Sequence, residues 1–294
     1  MHRIGIDLGG TKIEGVILDE NSAEIYRERT PTEAERGYRH ILSRIAMLYG
    51  RMQARVANAP HTLGIGTPGS ISPRTGLLRN SNTVALNGQP FIADLEQFVG
   101  RKFVIANDAN CFALAEAILG AARGYPTVFG VIMGTGTGGG IVFGGTVHTG
   151  RTAIAGEWGH TSIDPQGPLC YCGTRGCVET YLSGSGIENR FFEQTGRRSS
   201  AMQIFAAASA HDPAATAVID AFYAHFGRAM ANVINVVDPD IVVLGGGVSN
   251  VGGLYDRGVS AVRCCVFADY FDTPIVKNQL GSSSGVIGAA LIGC

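Results

Sequence analysis

The chain is 294 residues long, 45% hydrophobic and 16% charged, which supplies apolar material for a buried core and rules out disorder as its main state. Its 23 Lys and Arg balance 24 Asp and Glu for a net charge of −1, which excludes the basic field that non-specific nucleic-acid binding needs. Asp7 interrupts any secretory apolar stretch and no apolar run approaches the ~20 residues of a membrane span, so the expectation is a soluble, cytoplasmic protein without membrane or nucleic-acid partners.

The first residues read strand, glycine turn, strand: 3–7, then Leu8-Gly9-Gly10-Thr11, then 12–18. A third alternating run covers 23–29. Residues 32–56 place Tyr38, Ile41, Leu42, Ile45, Leu48 and Met52 at helical spacing, with Thr32 as the N-cap. A buried strand at 63–66 leads into a long polar loop at 67–89. A short helix at 92–99, a strand at 103–106 and a helix from 108 to 122 follow. The opening layout then recurs. Residues 128–133 form an apolar strand, Gly134-Thr135-Gly136-Thr137-Gly138-Gly139-Gly140 a glycine turn, and 141–143 a returning strand. A Cys-rich insertion at 165–179 precedes helices through 212–237. A strand at 240–244 ends in Gly245-Gly246-Gly247, and 284–292 reads as a closing apolar helix. Strands alternating with helices twice over predict an α/β fold of two similar lobes with a cleft between them.

The stretch from Gly134 to Gly139 matches G-x-G-x-x-G, but a dinucleotide fingerprint needs a helix after the turn, and Ile141-Val142-Phe143 reads as a strand. Glycine-rich hairpins can instead cradle phosphate on successive backbone N–H groups, or be ordinary turns. Two such loops, each also carrying Thr, favour a polyphosphate clamp. Lys12 can neutralise phosphate or stand solvated at the strand end. No Walker A motif is present, so the P-loop fold is excluded. Asp108 lies where a strand gives way to a helix, the place that opens onto the ligand crevice of an α/β sheet. It can act as general base or, beside Asn107, simply cap the helix. Glu157 and Glu179 can accept hydrogen bonds from sugar hydroxyls or sit on the surface. Of 7 Cys, an odd number, Cys170, Cys172 and Cys177 crowd together on a Gly-bent loop, which suits a structural zinc better than disulfides. His160, then His148, is the best-placed fourth ligand. Cys111, Cys264, Cys265 and Cys294 show no partner pattern.

Asp7-Leu8-Gly9-Gly10-Thr11-Lys12, the loop from Gly134 to Gly140, Glu157-Trp158-Gly159-His160 and the segment from Cys170 to Glu179 resemble the ROK family of repressors, open reading frames and kinases. The resemblance runs in order along essentially the whole chain. It implies the two-lobed, actin-like (ribonuclease H-like) ATPase fold, with a small lobe over 1–110 joined by the C-terminal helix 283–294 and a large lobe over 111–282 that carries a zinc loop. It implies ATP, magnesium and a structural zinc as cofactors, a free hexose as substrate, and a homodimer. Residue by residue, Gly9, Gly10, Thr11 and Lys12 match one phosphate loop and Gly134 to Gly140 the other. Gly245 and Gly246 match the adenosine side, and Asp7 the acid facing magnesium. Asp108 matches the catalytic base, Asn107, Glu157, His160 and Glu179 match sugar contacts, and His160, Cys170, Cys172 and Cys177 match the zinc ligands. The family's regulators place a winged helix before the first loop, which here begins a few residues from Met1, so an enzyme is expected rather than a DNA-binding regulator; a sugar sensor without DNA binding is the alternative of another class, which the intact Asp108 and both glycine loops disfavour. The 67–89 segment resembles bacterial fructokinases and mannokinases, and Asn82 joins the sugar contacts on that likeness. The expected activity is phosphorylation of fructose at the 6-hydroxyl, with mannose or glucose as further substrates. N-acetylglucosamine kinase or glucokinase activity is the alternative.

Overall fold

The structure, a computed structural model, describes residues 1–57 and 59–293; Asn58 and Cys294 lie outside it, so the reading of Cys294 as an unpartnered thiol falls beyond the described residues. The chain runs β1 (His2–Leu8), β2 (Lys12–Leu18), β3 (Glu24–Pro31), α1 (Tyr38–Arg55), β4 (His61–Thr67), β5 (Ser70–Ile71), β6 (Leu78–Arg79), α2 (Phe91–Val99), β7 (Val104–Asn107) and α3 (Asp108–Ile118). It continues with β8 (Thr127–Met133), β9 (Thr137–Phe143), β10 (Thr146–Val147), α4 (Glu179–Leu182), α5 (Gly184–Thr195), α6 (Ala201–Ser209) and α7 (Pro213–Val237). The last elements are β11 (Ile241–Gly245), α8 (Arg257–Arg263), β12 (Ile275–Lys277) and α9 (Ser284–Ile292).

Two five-stranded sheets share one topology. The first runs β3-β2-β1-β4-β7 and the second β10-β9-β8-β11-β12. In each, a hairpin of three antiparallel strands is extended by two parallel ones. Parallel strands are buried on both faces, and their sequences show it. Along β11, Ile241 and Val243 pack with α3 residues Phe112, Ala113 and Leu114, while Val242 and Leu244 join the cluster under α7. In the first sheet Ile4, Ile6 and Leu8 face the α1 stripe of Ile41, Leu42, Ile45 and Leu48. The intervening Gly5 and its neighbour Gly64 face α9. A methyl on Gly5 would lie 2.3 Å from Ala290 N and one on Gly64 1.9 Å from Ala289 O, so backbone meets backbone there.

The helices that follow the fifth strands exchange sheets. α3 leaves β7 in the first sheet and packs on β8 and β9 of the second; α9 leaves β12 in the second and packs on β1 and β4 of the first. The two cross at the junction between the sheets.

Several local expectations need correction. Thr32 does not cap a helix, because α1 begins at Tyr38 after a 3-10 turn at Ala34–Arg36. Buried Thr32 instead donates its hydroxyl to Gly9 O (2.7 Å) and its N–H to Thr11 O (3.0 Å), stapling the first glycine loop. The 67–89 loop contains the β5–β6 hairpin and a 3-10 turn at Val84–Leu86. The second glycine turn is shorter than expected, since Thr137 to Gly140 already belong to β9. Their glycines answer packing, not turning: a methyl on Gly140 would lie 2.6 Å from Ala109 O, and one on Gly139 2.5 Å from the Trp158 ring.

Candidate active site

A cavity of about 270 Å³ opens between the sheets. From the 67–89 segment it is lined by Pro68, Gly69, Asn80 and Asn82; from the β7–α3 junction by Asn107, Asp108 and Ala109. The remaining wall comes from Ile132, from Gly134, Thr135, Gly136, Thr137, Gly138 and Gly139, and from Glu157, His160, Tyr171 and Glu179. Thus the cavity gathers Asn82, Asn107, Asp108, Glu157, His160 and Glu179, six positions spread over almost a hundred residues of chain, beside the second glycine loop.

At the β7–α3 junction the capping position falls to Asn107. Asn107 is the N-cap: its extended backbone turns the chain and its Oδ1 accepts from Ala109 N at 2.9 Å, while its Nδ2 donates to Gly69 O at 3.2 Å. Asp108 is the first helical residue, and one of its oxygens also accepts from Ala109 N (2.8 Å). Burial pushes its carboxyl up to about 6, an effect reinforced by the nearby Glu157 charge and opposed by the bond from Ala109 N–H. A carboxyl titrating there is suited to accept a proton near neutral pH.

Asp7, at the end of β1, lies behind the cavity rather than in its lining. Burial first, then the charges of Asp108 and Glu14, push it up to about 7, with Lys12 opposing. Gly9, Gly10, Thr11 and Lys12 also stand outside the cavity lining. Gly9 N–H donates to Lys12 O at 2.9 Å and closes the loop. Lys12 Nζ reaches the buried Glu14 carboxylate at 3.3 Å, which also receives Arg27 and Arg29, so the ammonium is paired within the strand surface.

Trp158 explains how the Glu157 turn is fixed. Its ring packs edge-on against Phe129 and its Nε1 donates to Gly138 O at 3.1 Å, tying the turn to β9. Burial raises the Glu157 carboxyl, with His160 opposing. Glu179 begins α4, and its Oε2 accepts from Thr137 N at 2.9 Å, so this carboxylate supports the second glycine loop. Thr137 Oγ1, buried in the same loop, has no hydrogen-bond partner in the chain. The loop is further anchored by Gly184 N–H to Gly134 O (2.7 Å) and Ser185 Oγ to Thr135 O (2.5 Å).

Behind that loop a second groove is lined by Gly134, Thr135, Gly184, Ser185, Glu188 and Ser200 on one side and Gly247 and Val248 on the other. Gly247 lies here, whereas Gly245 is backed by the Phe112 ring and Gly246 by the Met133 backbone. Gly140 likewise lies inside β9, outside both linings. Ser185 and Glu188 carried no local signal in the sequence, because they reach the groove only through the turn between α4 and α5.

His160 Nδ1, Cys170, Cys172 and Cys177 form the one such donor cluster among the described residues, their ligand atoms all within 4.8 Å of one another. Cys172 Sγ lies 3.6 Å from Cys177 Sγ, and Cys170 Sγ 3.6 Å from His160 Nδ1. Thiolates bound at ~2.3 Å around a tetrahedral zinc stand about 3.8 Å apart, so the donor set and its spacing fit that metal. His148 is not among these donors. The other imidazole nitrogen of His160 is 3.0 Å from the Tyr171 hydroxyl, and both residues line the cavity, so the cluster abuts it directly. Cys111 is a buried free thiol, and Cys264 and Cys265 are exposed ones.

Among the described residues no helix is long and apolar enough to cross a membrane. The ROK family model matches residues 3–293. The chain is 38% identical to the N-acetyl-D-glucosamine kinase of Pasteurella multocida, over 99% of this chain and 98% of that one. It is 37% identical to the protein of that name from Aliivibrio salmonicida, over 98% of each. The ROK hexokinase of Thermus thermophilus superposes with a TM-score of 0.90 at 33% identity, covering 100% of this chain and 98% of that one. A ROK family glucokinase from Streptomyces griseus, solved with glucose and AMPPNP, superposes at 0.81 with 28% identity over 100% and 99%. The duplicated sheets, the exchanged helices and the cleft between them are the two-lobed, actin-like ATPase fold of those sugar kinases. The chain belongs to the ROK family.

Proposed function

We infer that this protein is an ATP-dependent kinase that phosphorylates N-acetyl-D-glucosamine at its 6-hydroxyl. The observation that carries the sugar is the likeness, at 38% identity over nearly full length, to proteins named for that activity, which favours the alternative above over fructose. The chemistry rests on Asp108, a half-buried carboxyl raised to about 6 in a cavity shared by a glycine loop and a set of polar side chains.

In this reading the sugar lies against Asn82, Asn107, Glu157 and His160, whose oxygens and nitrogens are matched to hydroxyl groups. Asp108 receives the proton as the 6-hydroxyl attacks, and the backbone N–H groups from Gly134 to Gly139 hold the phosphates. The groove by Ser185, Glu188 and Gly247 takes the adenosine. Asp7 is the residue that would face a bound magnesium, which would supply charge neutralisation on the transferred phosphoryl group. Zinc on His160, Cys170, Cys172 and Cys177 fixes the loop that presents His160 to the sugar. The lobes divide near residue 110, with the last helix returning to the first.

Fructose is a second reading, because the cavity lining is mainly polar and its carbons to receive an acetyl methyl come from Pro68, Ala109, Ile132 and the Tyr171 ring. The ratio of kcat/KM for N-acetylglucosamine and fructose at saturating ATP and magnesium separates the two. A ratio well above one supports the first reading, and one well below replaces it with fructokinase. No turnover of any free hexose would sink both.

A further inference from the structure

Glu116 lies outside the cavity, toward the opposite end of α3 from Asp108, and is fully buried. Buried carboxylates are rare unless every oxygen is matched, and here the match is complete. Oε1 accepts from Leu280 N–H (3.0 Å) and from Ser284 Oγ (2.8 Å); Oε2 accepts from Ala121 N–H (3.0 Å) and Gln279 N–H (3.0 Å). Three of these donors, Gln279, Leu280 and Ser284, belong to the segment that carries the chain from β12 into α9. The carboxylate therefore bolts α3 to the start of the other crossing helix.

That bolt bears on the reacting groups at both ends. α3 opens with Asp108, and α9 touches Asp7: a methyl on Gly285 would lie 3.1 Å from Asp7 Oδ2. Between them the helices meet backbone to backbone, since a methyl on Gly288 would lie 1.8 Å from Cys111 O. Beside that contact Ala115 and Leu119 pack with Val286, Ile287 and Ala290 of α9, apolar surfaces that carry no directional bond. The hydrogen bonds of Glu116 add the directional tie to this packing.

We propose that Glu116 is a positioning residue for phosphoryl transfer, setting the spacing between Asp108 and Asp7 by locking α3 to the β12–α9 connection. The inference rests on the kinase reading, which gives those two carboxyls their work. A carboxylate suits the place because it carries acceptors only, and four donors converge on it. An amide of the same shape would turn its NH2 toward two of those donors.

Glu116→Gln tests this with the full-length protein and whichever hexose the wild type phosphorylates. The expected result is a kcat lowered by about 10- to 100-fold with sugar KM changed less than about 3-fold, because small misplacements of reacting groups cost rate more than binding. Amide hydrogen exchange at Gln279 and Leu280 rises in parallel. A variant that melts lower yet retains wild-type kcat below its transition overturns the proposal and leaves Glu116 merely structural. If Glu116→Gln does not fold, Ser284→Ala removes one donor only, and a kcat lowered by about 2- to 5-fold at unchanged KM is expected; unchanged kcat overturns the proposal. Wild-type turnover is the separate control. Its absence refutes the kinase reading, and the exchange measurement then still decides whether Glu116 locks the crossing: unchanged exchange at Gln279 and Leu280 overturns it.

Discussion

At Asp108 a helix start and the proposed proton acceptor coincide without conflict, because Asn107 takes the capping role and leaves the carboxyl in the cavity. Asp108→Asn preserves shape and removes basicity, so turnover should fall by roughly 10²- to 10⁴-fold while the protein stays folded. Steady-state kinetics beside a melting curve checks this, and a folded variant with retained activity would refute the assignment. The raised carboxyl also fixes the sign of the pH dependence. Only the ionised form accepts a proton, and with the carboxyl pushed up to about 6, kcat/KM should rise through that pH and level off above it. At pH 5 about a tenth of the wild-type plateau is expected from that titration alone. A flat profile between pH 5 and 8 would show that another group or step controls the rate.

At the scale of elements, what was legible in the sequence followed from local pattern, and what was hidden followed from distant packing. β11 and α9 were visible because unbroken apolar runs ended at glycine or began after serine. The extent of β9 was hidden, since Gly138, Gly139 and Gly140 look like a turn unless α3 and Trp158 are known to press on them. Thr32 misled for a similar reason: a threonine before an apolar stripe is a cap in isolation, whereas here it bonds a loop twenty residues earlier. The Cys cluster was legible because its three thiols are close in sequence, and folding had only to bring in His160. On the zinc reading proposed for the cluster, a strong chelator, or Cys172→Ser, should unsettle the loop from 160 to 179 and lower sugar affinity before it unfolds the protein. Metal analysis of the purified protein finding no zinc would contradict the cluster's proposed role.

Over the whole molecule, one side-chain contact also ties the segment before the cavity to the loop following β10. Arg79, in the small β5–β6 hairpin, donates to Thr152 O in the loop following β10, while its buried Nε has no partner in the chain. Cutting this link with Arg79→Met should favour an open cleft and raise sugar KM by about five-fold, the worth of one hydrogen bond, with kcat little changed. Isothermal titration with the sugar checks it, and unchanged affinity would show that the Arg79 contact is incidental. The polar hairpin was expected as a plain loop, and its bridging role depends on a residue more than seventy positions away. No local pattern announces such a contact.

The exchange of helices between the sheets has a consequence for how the chain is made. The first sheet is complete when residue 107 has been synthesised, yet the face around Gly5 and Gly64 is shaped for a helix whose last turn lies at Ile292. On the ribosome that face waits, uncovered, until Ser284–Ile292 has been made. α3, by contrast, emerges before the strands it will cover, a ready template on which the second sheet can assemble. Vectorial synthesis therefore treats the two similar halves unequally: the later one assembles on a helix already made, and the earlier one waits until Ser284–Ile292 has left the exit tunnel.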